Sequence, residues 1–153
     1  MRPAPQPPRR YRTIMAASLV AAGMLWPERG TADGALAVGL PKDVAAEGFA
    51  YGFAINKPNA AEANNQALAD CKTPAQGVDQ RAQALCAVVQ SFHNQCFAVA
   101  MDPKDATPGV GWAVEDSKQG AGRSALDKCK ATAGDDRRDF CEVTHTDCDG
   151  TAK

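Results

Sequence analysis

Apolar side chains recur along this chain with two periods. Phe49, Tyr51, Phe53 and Ile55 alternate with Ala50, Gly52 and Ala54, and Val110, Trp112 and Val114 alternate with Gly111 and Ala113. A period of two sends successive side chains to opposite faces, so both stretches predict strands with one bulky and one small face. The small face leaves room for close packing or for another backbone. Residues 85–92, 96–101 and 140–146 predict further strands. Between them the period changes. Ala60, Ala63, Ala67, Leu68 and Cys71 share one helical face, and Asn59 with Glu62 resembles a capping box. Ala121, Ala125, Leu126 and Cys129 make a matching face behind Asp116 or Ser117 as cap, although Gly120 and Gly122 weaken that helix by about 1 kcal/mol each relative to alanine. Residues 73–81, 102–109 and 132–138 are polar connections, and 149–153 read as a frayed tail.

The matching faces belong to an internal repeat. With Cys71 placed over Cys129, YGFAIN at 51–56 lies over VGWAVE at 110–115, ALADCK at 67–72 over ALDKCK at 125–130, and LCAVV at 85–89 over FCEVT at 140–144. Two copies of one supersecondary unit account for that many matches in order. The units run from about 48 to 96 and from about 97 to 148. The expected architecture is α/β in the α+β sense: a small two-layer sandwich, a duplicated strand-helix-strand unit with both helices on one face of a mixed sheet, stapled by disulfides.

The N-terminus sets the chemical context. Residues 2–12, RPAPQPPRRYR, carry four arginines and no acid, and they lead into the apolar run TIMAASLVAAGMLW. A basic region, a short apolar run and small residues after it are the pattern of a signal peptide; an uncleaved anchor is the rival. Small-x-small junctions occur at Gly30-Thr31-Ala32 and at Ala35-Leu36-Ala37. Arg9-Arg10 invites a twin-arginine reading, but Arg12 stands where such signals carry an apolar residue, so the general secretory route is expected. The division is then a signal peptide over 1–32 and one duplicated domain over 33–153. That domain keeps 12 of the 17 basic and 17 of the 18 acidic residues, a net charge of −5 against −1 for the whole chain. An acidic domain without basic clusters argues against nucleic acid, whose phosphates need Lys and Arg. No apolar run after Trp26 is long enough to span a bilayer. The domain is expected to be monomeric and periplasmic or secreted.

All six cysteines, Cys71, Cys86, Cys96, Cys129, Cys141 and Cys148, fall in the domain. An even count in a small exported chain reads as a disulfide framework; no tight C-x-x-C pair supports zinc. Fifteen connectivities are open. Symmetry alone favours Cys71 with Cys86 and Cys129 with Cys141 inside the units, and Cys96 with Cys148 joining the two unit ends.

The G-F/W-A strands at Gly52-Phe53-Ala54 and Gly111-Trp112-Ala113, the A-L-x-x-C helix ends and the S-F-H-N-Q-C junction at 91–96 carry a resemblance. The chain resembles the secreted bacterial domain of unknown function 4189 family over roughly residues 36–149. The resemblance implies export and disulfides and is silent on activity. The polar stretch 73–83 is longer than the glycine-rich turn many members carry there.

Candidate chemistry is sparse. His93 and His145, each three residues from a cysteine, would suit a Cys-His nucleophile only if a thiolate were free. Asp147-Cys148-Asp149-Gly150 echoes the start of a calcium loop but lacks the later ligands, and reads as an exposed acidic turn. Gly109-Val110-Gly111 opens a strand, where a dinucleotide fingerprint opens a helix. Asp135, Asp136 and Asp139 with Arg137 and Arg138 form the densest charge cluster, the usual make-up of a solvated loop. Tyr51, Phe53 and Trp112 read as core aromatics, or as a binding face if the sheet side without helices is open. The expectation is a binding or interaction module for a protein or envelope ligand, without cofactor, metal or catalytic residues. The alternative is a small periplasmic hydrolase or thiol redox enzyme using His93 and a free cysteine.

Overall fold

The computed structural model describes residues 33–73 and 78–153; the leader pattern lies outside them. The elements run β1 (Asp33–Gly39), α1 (Val44–Glu47), β2 (Ala50–Lys57), α2 (Ala60–Cys71), α3 (Gln80–Ala84), β3 (Ala87–His93), β4 (Cys96–Met101), β5 (Val110–Glu115), α4 (Lys118–Thr132), a 3₁₀ turn (Arg138–Phe140) and β6 (Glu142–Cys148). The strands form two three-stranded sheets, β2-β1-β3 and β5-β4-β6, and every pairing is antiparallel.

The α+β class, the duplication and the disulfide staples of the sequence reading stand, while its single mixed sheet divides in two. The cause is the segregation of side-chain size. On the small faces, Ala35, Ala37, Ala50 and Ala54 pack with α2, and Ala98, Ala100 and Ala113 pack with α4. The bulky faces meet each other: Leu36, Val38 and Phe92 from one sheet pack with Phe97, Val99 and Val110 from the other. Two bulky faces bury the most apolar area by covering one another, as in a sandwich, which sends the helices to the outside. The layer order is helix, sheet, sheet, helix.

Each unit is strand-strand-helix-strand: the strand expected at 96–101 opens unit two as β4, and an unexpected strand, β1, opens unit one. β1 escapes the periodicity reading because DGALAVG carries few bulky residues and its Ala-Leu-Ala looks like a cleavage junction. It is the central strand of its sheet, as β4 is of the other. Unit one therefore runs Asp33 to His93 and unit two Cys96 to Cys148, where the repeat pattern in the sequence places the units at about 48–96 and 97–148.

The two units share backbone detail. Gly52 and Gly111 face the helices so closely that an added Cβ would lie 2.2 Å from the Cys71 nitrogen in one unit and 2.3 Å from the Ala125 oxygen in the other. That close approach is why the strands carry glycine there. Val89 and Thr144 are each the extra residue where the β1–β3 and β4–β6 ladders shift register, so the bulge is duplicated as well. Both caps form: the Glu62 N–H donates to Asn59 Oδ1 at 2.9 Å, and the Gly120 N–H to Ser117 Oγ at 3.2 Å.

The C-terminal stretch is tied down, contrary to the frayed tail expected. Asp149 is fully buried. Its carboxylate accepts from the backbone N–H groups of Asn56 at 2.7 Å and Asn94 at 3.1 Å. Both asparagines adopt positive φ, 54° and 50°, which aims those N–H groups inward. Their side chains in turn accept from the N–H groups of Gly150 and Thr151. The acidic turn at 147–150 is thus a clasp between the end of β6, the end of β2 and the β3–β4 turn.

Candidate functional site

The cysteines come first, because their state decides which chemistry is available. Cys71 bridges Cys86, Cys129 bridges Cys141 and Cys96 bridges Cys148, and none is free. These are the pairs favoured by symmetry, with one change of role: Cys96 and Cys148 lie opposite each other on β4 and β6, so the bridge closes unit two and does not join the two units. Three disulfides point to an oxidising, extracytoplasmic environment.

The histidines are absorbed into structure. His93 Nδ1 lies 3.1 Å from Asp33 Oδ1, and its Nε2 lies 2.8 Å from Asn94 Nδ2. His145 packs against two aromatics, tilted to Phe53 with ring centroids 4.3 Å apart and stacked on Phe97 at 5.6 Å. Bridged cysteines leave neither imidazole a thiol to activate.

Tyr51, Phe53 and Trp112 point into the space between the sheets and are partly buried against the shared core. Phe49 stacks on Tyr51 at 5.9 Å and on Trp112 at 5.8 Å, and Phe53 meets Phe97 at 4.7 Å. The side without helices, on which they would have formed a binding face had it been open, is covered by the second sheet.

The charge cluster separates into one structural pair and a solvated remainder. Arg137 reaches Asp102 with both arms of its guanidinium, Nε to Oδ2 at 2.8 Å and Nη2 to Oδ1 at 2.6 Å, while Arg138 pairs with the exposed Asp135. The Arg137 guanidinium holds the Asp102 carboxyl below its ordinary range against the opposing push of burial. Asp102 also accepts from the Lys104 N–H at 3.0 Å, and its own N–H donates to the Gly109 carbonyl at 2.9 Å. It therefore organises the whole loop between β4 and β5.

That loop is one wall of an open groove of about 390 Å³. The other wall is its counterpart in unit one, α1 and the residues just before β2. Phe49, Val110, Met101 and Val44 supply apolar surface; Glu47, Asp79 and Asp105 carry carboxylates, and Lys104 is the one cation among the described residues of the lining. Arg81 sits outside, bridging Glu47 at 3.5 Å and Asp79 at 3.3 Å. The Arg81 backbone N–H, then its guanidinium, draw the Asp79 carboxyl below its ordinary range. Ala106, in the wall, holds φ at 58°, a conformation that costs a non-glycine residue roughly 1–2 kcal/mol.

Sequence reasoning passes over the groove because its walls come from loops with no motif. The available signal is the equivalence of β1 and β4, which makes the loops after them equivalent too. Among the described residues, no group of three or more His, Cys, Asp or Glu side chains could hold a metal ion, and no helix is long and apolar enough to cross a membrane.

No curated protein and no solved structure matches the chain. One family does, over residues 34–148, from the start of β1 to the end of β6. The chain belongs to the family described as Domain of unknown function (DUF4189).

Proposed function

We propose that this domain is a non-enzymatic binding module of the periplasm or the extracellular space, and that its ligand docks in the groove between the two equivalent loops. The observation that carries the reading is the groove itself: about 390 Å³, lined by apolar side chains together with charged ones, set where the two units meet. Backbone strain at Ala106 adds support, since strain of this kind clusters at ligand-contacting loops. Export is supported by the leader pattern of residues 1–32 and by the three bridges. The carboxylates of Glu47, Asp79 and Asp105, on a domain with net charge −5, disfavour anions, so the ligand is neutral or cationic.

The test is a screen of neutral and amine-bearing fragments and short peptides by amide chemical-shift perturbation on the oxidised domain. Shifts should cluster on residues 44–49 and 101–110, and Asp105→Trp, at an exposed position in the wall, should abolish them with the melting temperature unchanged. Perturbations confined to another surface, or full binding by Asp105→Trp, would remove the groove as the site.

A further inference from the structure

We propose that the Cys129–Cys141 bridge controls the groove through Arg137, so that closing or opening this one disulfide fixes or frees the wall formed by residues 102–109. The proposal rests on the reading of the groove as the binding site and adds its regulation.

Each wall is held from behind by residues that a helix-end bridge encloses. In unit one, ahead of Cys86, the Asp79 N–H donates to the Glu47 carbonyl at 3.2 Å and Arg81 reaches the Glu47 carboxylate at 3.5 Å. In unit two, between Cys129 and Cys141, Thr132 Oγ accepts from the Val110 N–H at 2.9 Å, and Arg137 grips Asp102. The duplication thus copied a buttress together with its disulfide.

Two observations single out unit two. The first is grip. The Arg81 side chain is 68% exposed, whereas that of Arg137 is 21% exposed and that of Asp102 is fully buried. An exposed pair holds little, while a forked guanidinium on a buried carboxylate fixes direction as well as distance. Asp102 passes that hold to both ends of its loop, through the Lys104 N–H and the Gly109 carbonyl. Behind Arg137 stands the Phe140 ring, its centroid 4.1 Å from the guanidinium carbon. Phe140 is exposed and adjoins Cys141, so the bridge anchors the ring that backs the arginine.

The second observation is access. Cys71, Cys86 and Cys129 are buried, and Cys141 is half-buried. A thiolate needs an approachable sulfur, so of the two helix-end bridges Cys129–Cys141 is the one a reductant reaches. A dithiol attacks the Cys141 sulfur, the bond to Cys129 breaks and a mixed disulfide forms. The second thiol then closes the dithiol's own disulfide and releases Cys141. Two electrons and two protons pass to the protein, which gains two thiols. Phe140 and Arg137 lose their anchor, and the wall loses Arg137. The half-buried Cys148 belongs to the bridge at the far end of β4, where opening it does not reach the loop.

Amide hydrogen exchange and phenethylammonium titration, both followed by NMR on the oxidised protein and its variants, test this. Cys129→Ser with Cys141→Ser, and Arg137→Gln with the bridge intact, should each speed exchange in the 102–109 loop at least about tenfold while 44–49 stay as they are. Combining all three substitutions should add nothing, because bridge and arginine act in series. Cys96→Ser with Cys148→Ser opens a loop of 52 residues against 12 and costs more stability, yet should leave 102–109 unchanged. Phenethylammonium should shift amides on both walls of the wild type and bind at least about fivefold more weakly once the wall is free. If the chain without Cys129–Cys141 does not fold, Phe140→Ala removes the same backing with the bridge intact and should loosen the loop by itself. Unchanged loop exchange in Arg137→Gln or Phe140→Ala, additive effects, or equal loosening by the Cys96 and Cys148 pair overturns the control. Wild-type walls that ignore phenethylammonium while the variants still free the loop remove the groove reading and leave the control of the wall standing.

Discussion

Units one and two place different chemistry at the same points of the same backbone. Where Cys96 lies opposite Cys148 in the second sheet, Asp33 lies opposite His93 in the first. The second pair is covalent; the first is a carboxylate-imidazole contact whose side chains are 21% and 46% exposed. At the other end of the central strands, unit two holds Asp102 with Arg137, while unit one has Gly39 so close to the Ala82 carbonyl that an added Cβ would sit 2.0 Å from it. The features that do not vary are the helix-facing glycine, the bulge in the outer strand and the bridge from helix end to strand start. A helix can lie that close to a sheet in very few ways, so those features are fixed by backbone geometry. The ends of the central strands need only some contact, and a disulfide, an ion pair or a bare close approach all serve.

The two units differ most at the disulfide that unit one lacks. Replacing Cys96 and Cys148 together by serine frees a loop of 52 residues, which by chain entropy lowers stability by about 4 kcal/mol. Denaturant midpoints measured without reductant would show this loss. Next come the shared glycines: Gly52→Ala and Gly111→Ala should each cost about 2–3 kcal/mol, within the range for overpacking, and by similar amounts if the units are equivalent. A loss confined to one unit would break the equivalence.

A third effect belongs to unit two alone. The Asp102 carboxyl titrates lower in the folded chain than its ordinary value of 3.8, so its stabilisation is complete above about pH 4 and is lost as pH falls through the folded value. Asp102→Asn should be less stable at neutral pH and should flatten the stability profile on the acid side, as thermal melts across that range would report. Gly122→Ala should act in the opposite direction. Its added Cβ meets only Val143 at 3.7 Å, so α4 should gain about 0.5–1 kcal/mol. The smallest effect is expected at the unit-one counterpart of the disulfide, where Asp33→Ala should cost less than about 1 kcal/mol, as loss of a solvent-exposed polar contact does.

Much of the framework is legible in the sequence. The alternation at 49–55 and 110–114 locates β2 and β5, the A-L-x-x-C ends locate α2 and α4, and the repeat of Cys71-Cys86 in Cys129-Cys141 favours the intra-unit bridges without fixing them. β1 is not legible: a central strand buried on both faces needs no polar alternation, and one face here must be small to admit a helix. Losing β1 hides the equivalence with β4, and with it the groove, whose walls are the loops that follow those two strands. Asp149 is misleading for a related reason. A single acidic residue after a cysteine looks solvated until the two backbone N–H groups that receive it, from Asn56 and Asn94, are brought beside it from 93 and 55 residues away.

The amino-acid sequence alone therefore determined the local periods, the helix caps, the number of staples and the existence of two copies, because each rests on residues near one another in the chain. Only the tertiary structure decided that the bulky faces turn toward each other. Side-chain size along a strand says that one face is large, not what will cover it. The choice belongs to the pair of sheets, since each is the largest apolar surface available to the other. That choice withdraws Tyr51, Phe53 and Trp112 from any open sheet face, and it sets the loops after β1 and β4 side by side as the two walls of the groove.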